Sequence, residues 1–328
     1  MSKIEIIREN IMTQKDFFDS IDYTFEERRN LLLQKLKSPS NDPAKPYKRY
    51  PKTLMRYAGG KSLAVGLIAE RLPKNTKRMI SPFIGGGSLE IAISNELDIE
   101  VLGFDIFDLL ANCWNHILKN NKKLAKRLDE FEPTKENYYF QKEILKKHWK
   151  NEKKLRSFEL AAQYYFSTQC SYGPHFLGWP SSVYLNEVRY KKNIQKLRDF
   201  SCPKLTVECQ SFEKVIPQYP KDVLYCDPPY FLEEGKMFVG MYPHRNFPIH
   251  HVGFEHEKLR DLLLSHKGKF ILSYNDCDTI RDWYSDFNIS TPKWQYTFGQ
   301  GDTRIGINRK EKNDGSHVKK SHEVLIWN

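Results

Sequence analysis

A chain of 328 residues, 40% apolar and 28% charged, is long enough for one large domain or two, and too apolar for wholesale disorder. Lys and Arg outnumber Asp and Glu by 52 to 41, a net charge of +11, which favours a polyanionic partner: nucleic acid first, an anionic membrane surface second. No apolar run approaches the roughly 18 residues that span a bilayer, the N-terminus lacks the apolar core of a secretion signal, and the six cysteines form no C-x-x-C pair, so reduced thiols and no metal site are expected.

In chain order, residues 1–40 read as helical and polar, and the proline-rich stretch 38–52 as a linker or extended arm. A Gly-rich turn, RYAGGKS (56–62), leads into the helical pattern SLAVGLIAERL, which stops at Pro73. The apolar run RMISPFI, the glycines 85–87 and the helical SLEIAISNEL follow, then IEVLGFDIF (99–107), a buried strand ending in an acid. This succession opens a mostly parallel α/β sheet. Residues 119–156 read as basic helices, with 13 Lys/Arg against 6 Asp/Glu. The aromatic-rich stretch 164–190 suits a hairpin or loop facing nucleic acid, and core packing explains many of its rings equally well. A second α/β block begins near Lys204. It comprises the strand and turn KLTVECQSF, the strand DVLYCDPPY (222–230), the helix HEKLRDLLLSHKG, and the strands KFILSYND and SHEVLIWN. The polar, basic stretch 301–320 reads as a loop that is either solvated or set against phosphates.

DPPY at 227–230 follows an apolar strand, so Asp227 should stand at the C-terminal edge of the sheet, where α/β folds bind ligands. Two prolines remove two N–H donors, leaving a carboxylate and carbonyls as acceptors beside an aromatic ring. That combination suits a planar substrate carrying an amino group, although Asp-Pro-Pro is also an ordinary turn. In PFIGGGSLE, Gly85 and Gly87 supply half of a dinucleotide fingerprint whose third glycine is Glu90. With Asp105 at the end of the next strand, placed to accept ribose hydroxyls, they point to a nucleoside-containing cofactor. RYAGGKS is not a phosphate-binding P-loop, because Met55 stands where that motif needs glycine. Lys61 could bind a carboxylate there, and Tyr57 could stack on a ring. The histidines show no metal-ligand spacing.

Taken jointly and in this order, RYAGGK, PFIGGGSLE, VLGFDIF, CQSFEKVI, VLYCDPPY and FILSYND resemble the Dam-type DNA adenine-N6 methyltransferase family. This is the D12 class, alpha group, and the resemblance covers roughly residues 53–328. It implies an α/β, Rossmann-like class I S-adenosylmethionine-dependent methyltransferase sheet with a mainly helical DNA-recognition insertion. The expected divisions are an N-terminal extension (1–52), a catalytic domain in two parts (53–118 and 204–328) and the insertion (119–203). The implied reaction moves a methyl group from S-adenosylmethionine to N6 of an adenine flipped out of double-stranded DNA. Asp227, Pro228, Pro229 and Tyr230 would form the catalytic motif, with Tyr230 stacking on the base. Cofactor contacts are implied for Tyr57, Ala58, Gly59, Gly60 and Lys61, for Pro82, Phe83, Gly85 and Gly87, for Asp105 and Ile106, for Ser211 and Phe212, and for Asp227. DNA contacts are expected from Tyr172, His175, Trp179, Arg189, Lys191, Arg304 and Arg309.

The insertion shares only its end, LNEVRYKKN, with the family's DNA-reading segment, so no particular target sequence is implied. Cytosine N4, RNA adenine, a glutamine amide and a catalytically silent DNA-binding relative are the alternatives, and the Asp that leads the PPY motif favours adenine. A monomer or weak dimer in the cytoplasm of a bacterial or phage-infected cell, with no metal or membrane partner, completes the expectation. A companion restriction endonuclease would be compatible with it.

Overall fold

A computed structural model describes residues 23–39, 46–172, 176–231, 253–292 and 323–328. The first third contains α1 (Phe25–Leu36), α2 (Val65–Arg71), β1 (Arg78–Ser81), α3 (Ser88–Leu97) and β2 (Glu100–Asp105). Four helices and a short ribbon follow: α4 (Asp108–Asp129), α5 (Lys135–Trp149), α6 (Ser157–Cys170), β3 (Ser171–Tyr172), β4 (Trp179–Pro180) and α7 (Glu187–Arg198). The chain then returns through β5 (Leu205–Cys209), α8 (Phe212–Gln218), β6 (Val223–Cys226), α9 (His256–Ser265), β7 (Phe270–Asn275), α10 (Asp278–Trp283), β8 (Asn288–Ser290) and β9 (Glu323–Trp327).

Seven strands form one sheet in the order β5-β2-β1-β6-β7-β9-β8. The first five run parallel, while β9 lies antiparallel between β7 and β8. Successive residues of these strands point to opposite faces, and in the central strands β1, β6, β7 and β9 both faces are buried, which is why these strands read as apolar runs. Met79, Tyr225 and Ile271 enter one core, shared with α2, α3 and α4. Their neighbours Ile80, Leu224, Cys226 and Leu272 enter a second core, under α8, α9 and α10. Strand order reverses between β1 and β6. The crevice beyond the C-terminal ends of β1, β2 and β6 is therefore the place where such a sheet takes a ligand.

Three sequence expectations change. The proline-rich stretch before residue 52, expected as a linker or extended arm, is packed against the core where it is described. Tyr50 is fully buried and its hydroxyl donates to Glu96 at 3.0 Å, and Lys48 N–H donates to Leu36 O at 2.8 Å. Prolines and polar residues rule out a helix there without ruling out burial of the aromatics between them. Leu32 and Leu36 of α1 belong to the same core as α2 and α3.

The second change concerns the border expected after residue 118, which falls inside α4. Two residues later Asn120 leaves helical geometry (φ −137°, ψ 26°), and Asn121 turns its amide to the carbonyls of Leu197, Arg198 and Phe200. Third, the aromatic stretch divides. Tyr164, Tyr165 and Phe166 are buried in α6, whereas Tyr172 and Trp179 are exposed on the ribbon. The short elements α8 and β8 had no counterpart in the expectations from sequence. Among the described residues no helix is long and apolar enough to cross a membrane.

Candidate active site

Beyond β1 the chain turns through Pro82 and Phe83 into the glycines. Gly85 and Gly87 have φ of +47° and +63°, a region that side chains disfavour. The space is also taken, since a Cβ on Gly85 would lie 2.8 Å from the Tyr57 ring and one on Gly87 2.5 Å from Trp114. Trp114 on α4 fastens the turn by donating its indole N–H to Gly85 O at 2.9 Å. From the end of β2, Asp105 accepts the N–H of Gly85 at 3.2 Å and of Phe107 at 3.0 Å. Burial pushes the Asp105 carboxyl up to about 6 against these backbone donors. Exposed Ile106 adjoins it, and the Gln210 N–H donates to Asp105 O at 3.1 Å, which brings Ser211, the N-cap of α8, to the same edge. Phe83, Phe212 and Phe254 pack together, with ring centroids 5.1–5.8 Å apart.

Lys61 comes from the turn before α2, with Gly59 and Gly60 on the way in and Ala58 buried beneath. Its ammonium lies 2.7 Å from Asp227 Oδ1, and it donates to Gly59 O at 3.0 Å and to the Tyr230 hydroxyl at 3.1 Å. The carboxylate that the sequence expected Lys61 to hold is thus, among described residues, that of the DPPY aspartate. Burial pushes Asp227 up to about 6, with Lys61 pulling in the opposite direction. Burial would lower the Lys61 pKa, but Asp227, Glu323 and Glu90 outweigh it and the net direction is upward. Glu90, which replaces the fingerprint's third glycine, is buried on α3 and accepts the Ser81 hydroxyl at 2.6 Å. Its carboxyl is pushed up to about 7 by burial, the serine opposing.

Behind Tyr230 stands Tyr274 of β7, its ring tilted by 28° with centroids 6.2 Å apart. The Tyr274 hydroxyl meets His256 Nδ1, and His256 also abuts Phe231 and Phe254. Sequence reasoning assigned no role to Trp114, Glu90, Glu323, Tyr274 or His256. Only Glu90 left a trace, as a departure from the glycine pattern.

Of the DNA-contact candidates, Tyr172, Trp179, Arg189 and Lys191 lie on the segment between β2 and β5. Tyr172 and Trp179 face each other across the ribbon, 51% and 71% exposed. Lys142 of α5 sits 5.3 Å from the Trp179 ring and donates to Gly178 O at 3.0 Å. On α7, Arg189 is exposed, and Lys191 is ion-paired with Glu187 one turn earlier at 2.6 Å. His175, Arg304, Arg309 and the 301–320 loop lie outside the described residues.

A family profile described as D12 class N6 adenine-specific DNA methyltransferase matches residues 57–298. Among curated proteins, the chain is similar to the Type II methyltransferase M.MjaIII of Methanocaldococcus jannaschii. They are 27% identical over 208 residues, covering 55% of this chain and 69% of that protein.

Proposed function

Because this chain belongs to the D12 class N6 adenine-specific DNA methyltransferase family, we propose that its methyl donor is S-adenosylmethionine, held over the glycine turn. Its acceptor is then an adenine rotated out of double-stranded DNA to stand beside Asp227. The single observation that carries this reading is the joining of Lys61, Asp227 and Tyr230 at the point where strand order reverses.

The residues fit such a donor. Gly85 and Gly87 leave the backbone of the turn bare on a packed bed of Tyr57 and Trp114. The Asp105 carboxylate has about four acceptor positions and meets the backbone N–H groups of Gly85, Ile106 and Phe107, so it retains capacity for a ribose hydroxyl. Ile106, Phe83 and Phe212 supply apolar surface for a purine, and Ser211 borders it. Bound there, the donor supplies a methyl group on a sulfonium sulfur, already activated toward nucleophiles.

The chain's own residues then act on the amine. N6 of adenine is a poor nucleophile because its lone pair is delocalised into the ring. Asp227 and the Pro228 carbonyl accept its two N–H bonds, favouring a pyramidal nitrogen with a localised pair. Pro229 keeps the turn rigid and Tyr230 stacks on the extruded base. With an acidity near 6, Asp227 is ionised at neutral pH and can take the proton that N6 sheds as the new N–C bond forms. Lys61 orients both Asp227 and the Tyr230 hydroxyl.

In this reading residues 119–203 form the insertion that reads the target, with Tyr172, Trp179, Arg189 and Lys191 facing DNA. The Type II designation of the relative makes a companion endonuclease the partner to look for. Transfer of labelled methyl from S-adenosylmethionine to duplex DNA, with RNA in parallel, tests the proposal. Label in DNA adenine at N6 is expected, and absence of label from DNA would overturn it. Sequencing methylated DNA from expressing cells then reads out base and target together.

A further inference from the structure

Arg56 directly precedes Tyr57 and reaches the other way. Its Nη1 donates to two carbonyls at once, Gln169 O at 2.9 Å and Ser171 O at 2.7 Å. These groups end α6 and begin β3, so the cation lies at the negative end of a helix and at the root of the ribbon. The Tyr184 ring lies 3.2 Å from the guanidinium carbon, and exposed Arg189 stands 5.4 Å from the same ring. Two residues earlier, Leu54 O accepts the Gln169 amide at 2.8 Å. The segment 54–61 therefore grips the ribbon at one end and, through Tyr57 and Lys61, the glycine turn and Asp227 at the other.

We propose that Arg56 is a positioning residue for target recognition, setting where the β3–β4 ribbon and Arg189 stand relative to the reacting carboxylate. The inference rests on the functional reading above and extends it from chemistry to selectivity. A planar guanidinium can lie flat against a ring while one of its nitrogens bonds two carbonyls, whereas a lysine ammonium offers donors but no planar face to stack. Arg189 adds like-charge repulsion across Tyr184, which a DNA phosphate on Arg189 would relieve. DNA arrival and the clamp are thereby linked. A displacement of about 1 Å in such a frame costs on the order of a hundredfold in rate, so a loosened ribbon weakens productive binding of the right site most.

The test compares Arg56→Lys and Arg56→Met with wild type, using labelled methyl transfer to duplexes carrying the mapped target or a single-mismatch version. The expected result is a KM for DNA raised about tenfold or more, with target-to-mismatch selectivity falling by a similar factor. The KM for S-adenosylmethionine should stay within about threefold of wild type, and lysine should not rescue. Unchanged selectivity, rescue by lysine or an equal loss toward both substrates overturns the proposal. If Arg56→Met does not fold, Tyr184→Ala removes the ring face from a partly exposed position. It should reproduce the selectivity loss, and wild-type selectivity there overturns the clamp. A wild type that puts no label into DNA is a different failure, that of the functional reading itself.

Discussion

Two opposing fields act on Asp227. Loss of water around the carboxyl raises its pKa, the neighbouring Lys61 lowers it, and the result is about 6. Because only the ionised form can both accept an amine hydrogen and take up its proton, kcat/KM for DNA should fall about tenfold per pH unit below that value. Lys61→Met removes the opposing cation and leaves burial alone, so the acid limb should move upward. Activity lost at neutral pH would then return in part on the alkaline side, and a limb that stays in place contradicts the coupling. Asp105, Asp227 and Lys61 were legible in the sequence because each sits in a local pattern, a strand end or a glycine turn. Glu90 and Glu323 were not. Nothing in SLEIAIS or SHEVLIWN tells that their carboxyls are buried near the same lysine, since that burial comes from packing between distant segments.

At the scale of elements, strands were easier to read than their connections. The central parallel strands β1, β6 and β7 announced themselves as doubly buried apolar runs, whereas β8 and α8 are too short to show a period. The break at Asn120 follows neither proline nor glycine, so no local signal marked it. Helix α1 shows the opposite gap. Its sequence reads as polar, yet Leu36 is wholly buried while Leu31 is half exposed. Leu36→Ala should therefore cost about 2–4 kcal/mol, and Leu31→Ala within about 0.5 kcal/mol, as read from urea midpoints at constant m-value. Equal effects would mean that α1 does not belong to the core. Helix α4 carries Lys119, Lys122, Lys123 and Lys126 on its solvent-accessible side. If this face meets phosphates, replacing the four with glutamine should flatten the dependence of log affinity on log salt, by up to about 0.9 for each phosphate no longer neutralised. An unchanged slope would assign the face to solvent.

Across the whole molecule, folding shifts proton affinities in two opposite directions. Asp105 and Asp227 rise to about 6 and Glu90 to about 7, all chiefly through burial. The folded state holds those protons more tightly, so this contribution is fully favourable below the unfolded carboxyl values and is lost as pH rises toward 7. His116, His256 and His266 are lowered by burial, His256 to about 4. For them the unfolded state binds the proton more tightly, so stability improves as pH rises through the unfolded histidine range. Glu27, Glu96 and Glu187 are lowered, and act only below about 4.5. Between about 4.5 and 6.5 the raised acids and the histidines pull against each other, so the histidines offset part of the stability that the acids lose as pH rises. Glu90→Gln keeps an acceptor for Ser81 and deletes one acid from that balance. It should leave stability unchanged near pH 4.5 and raise it by up to about 3 kcal/mol near pH 8, less whatever attraction Glu90 gives to Lys61. Urea unfolding at the two pH values measures this directly, and an equal gain at both would trace the effect to packing, not to the proton.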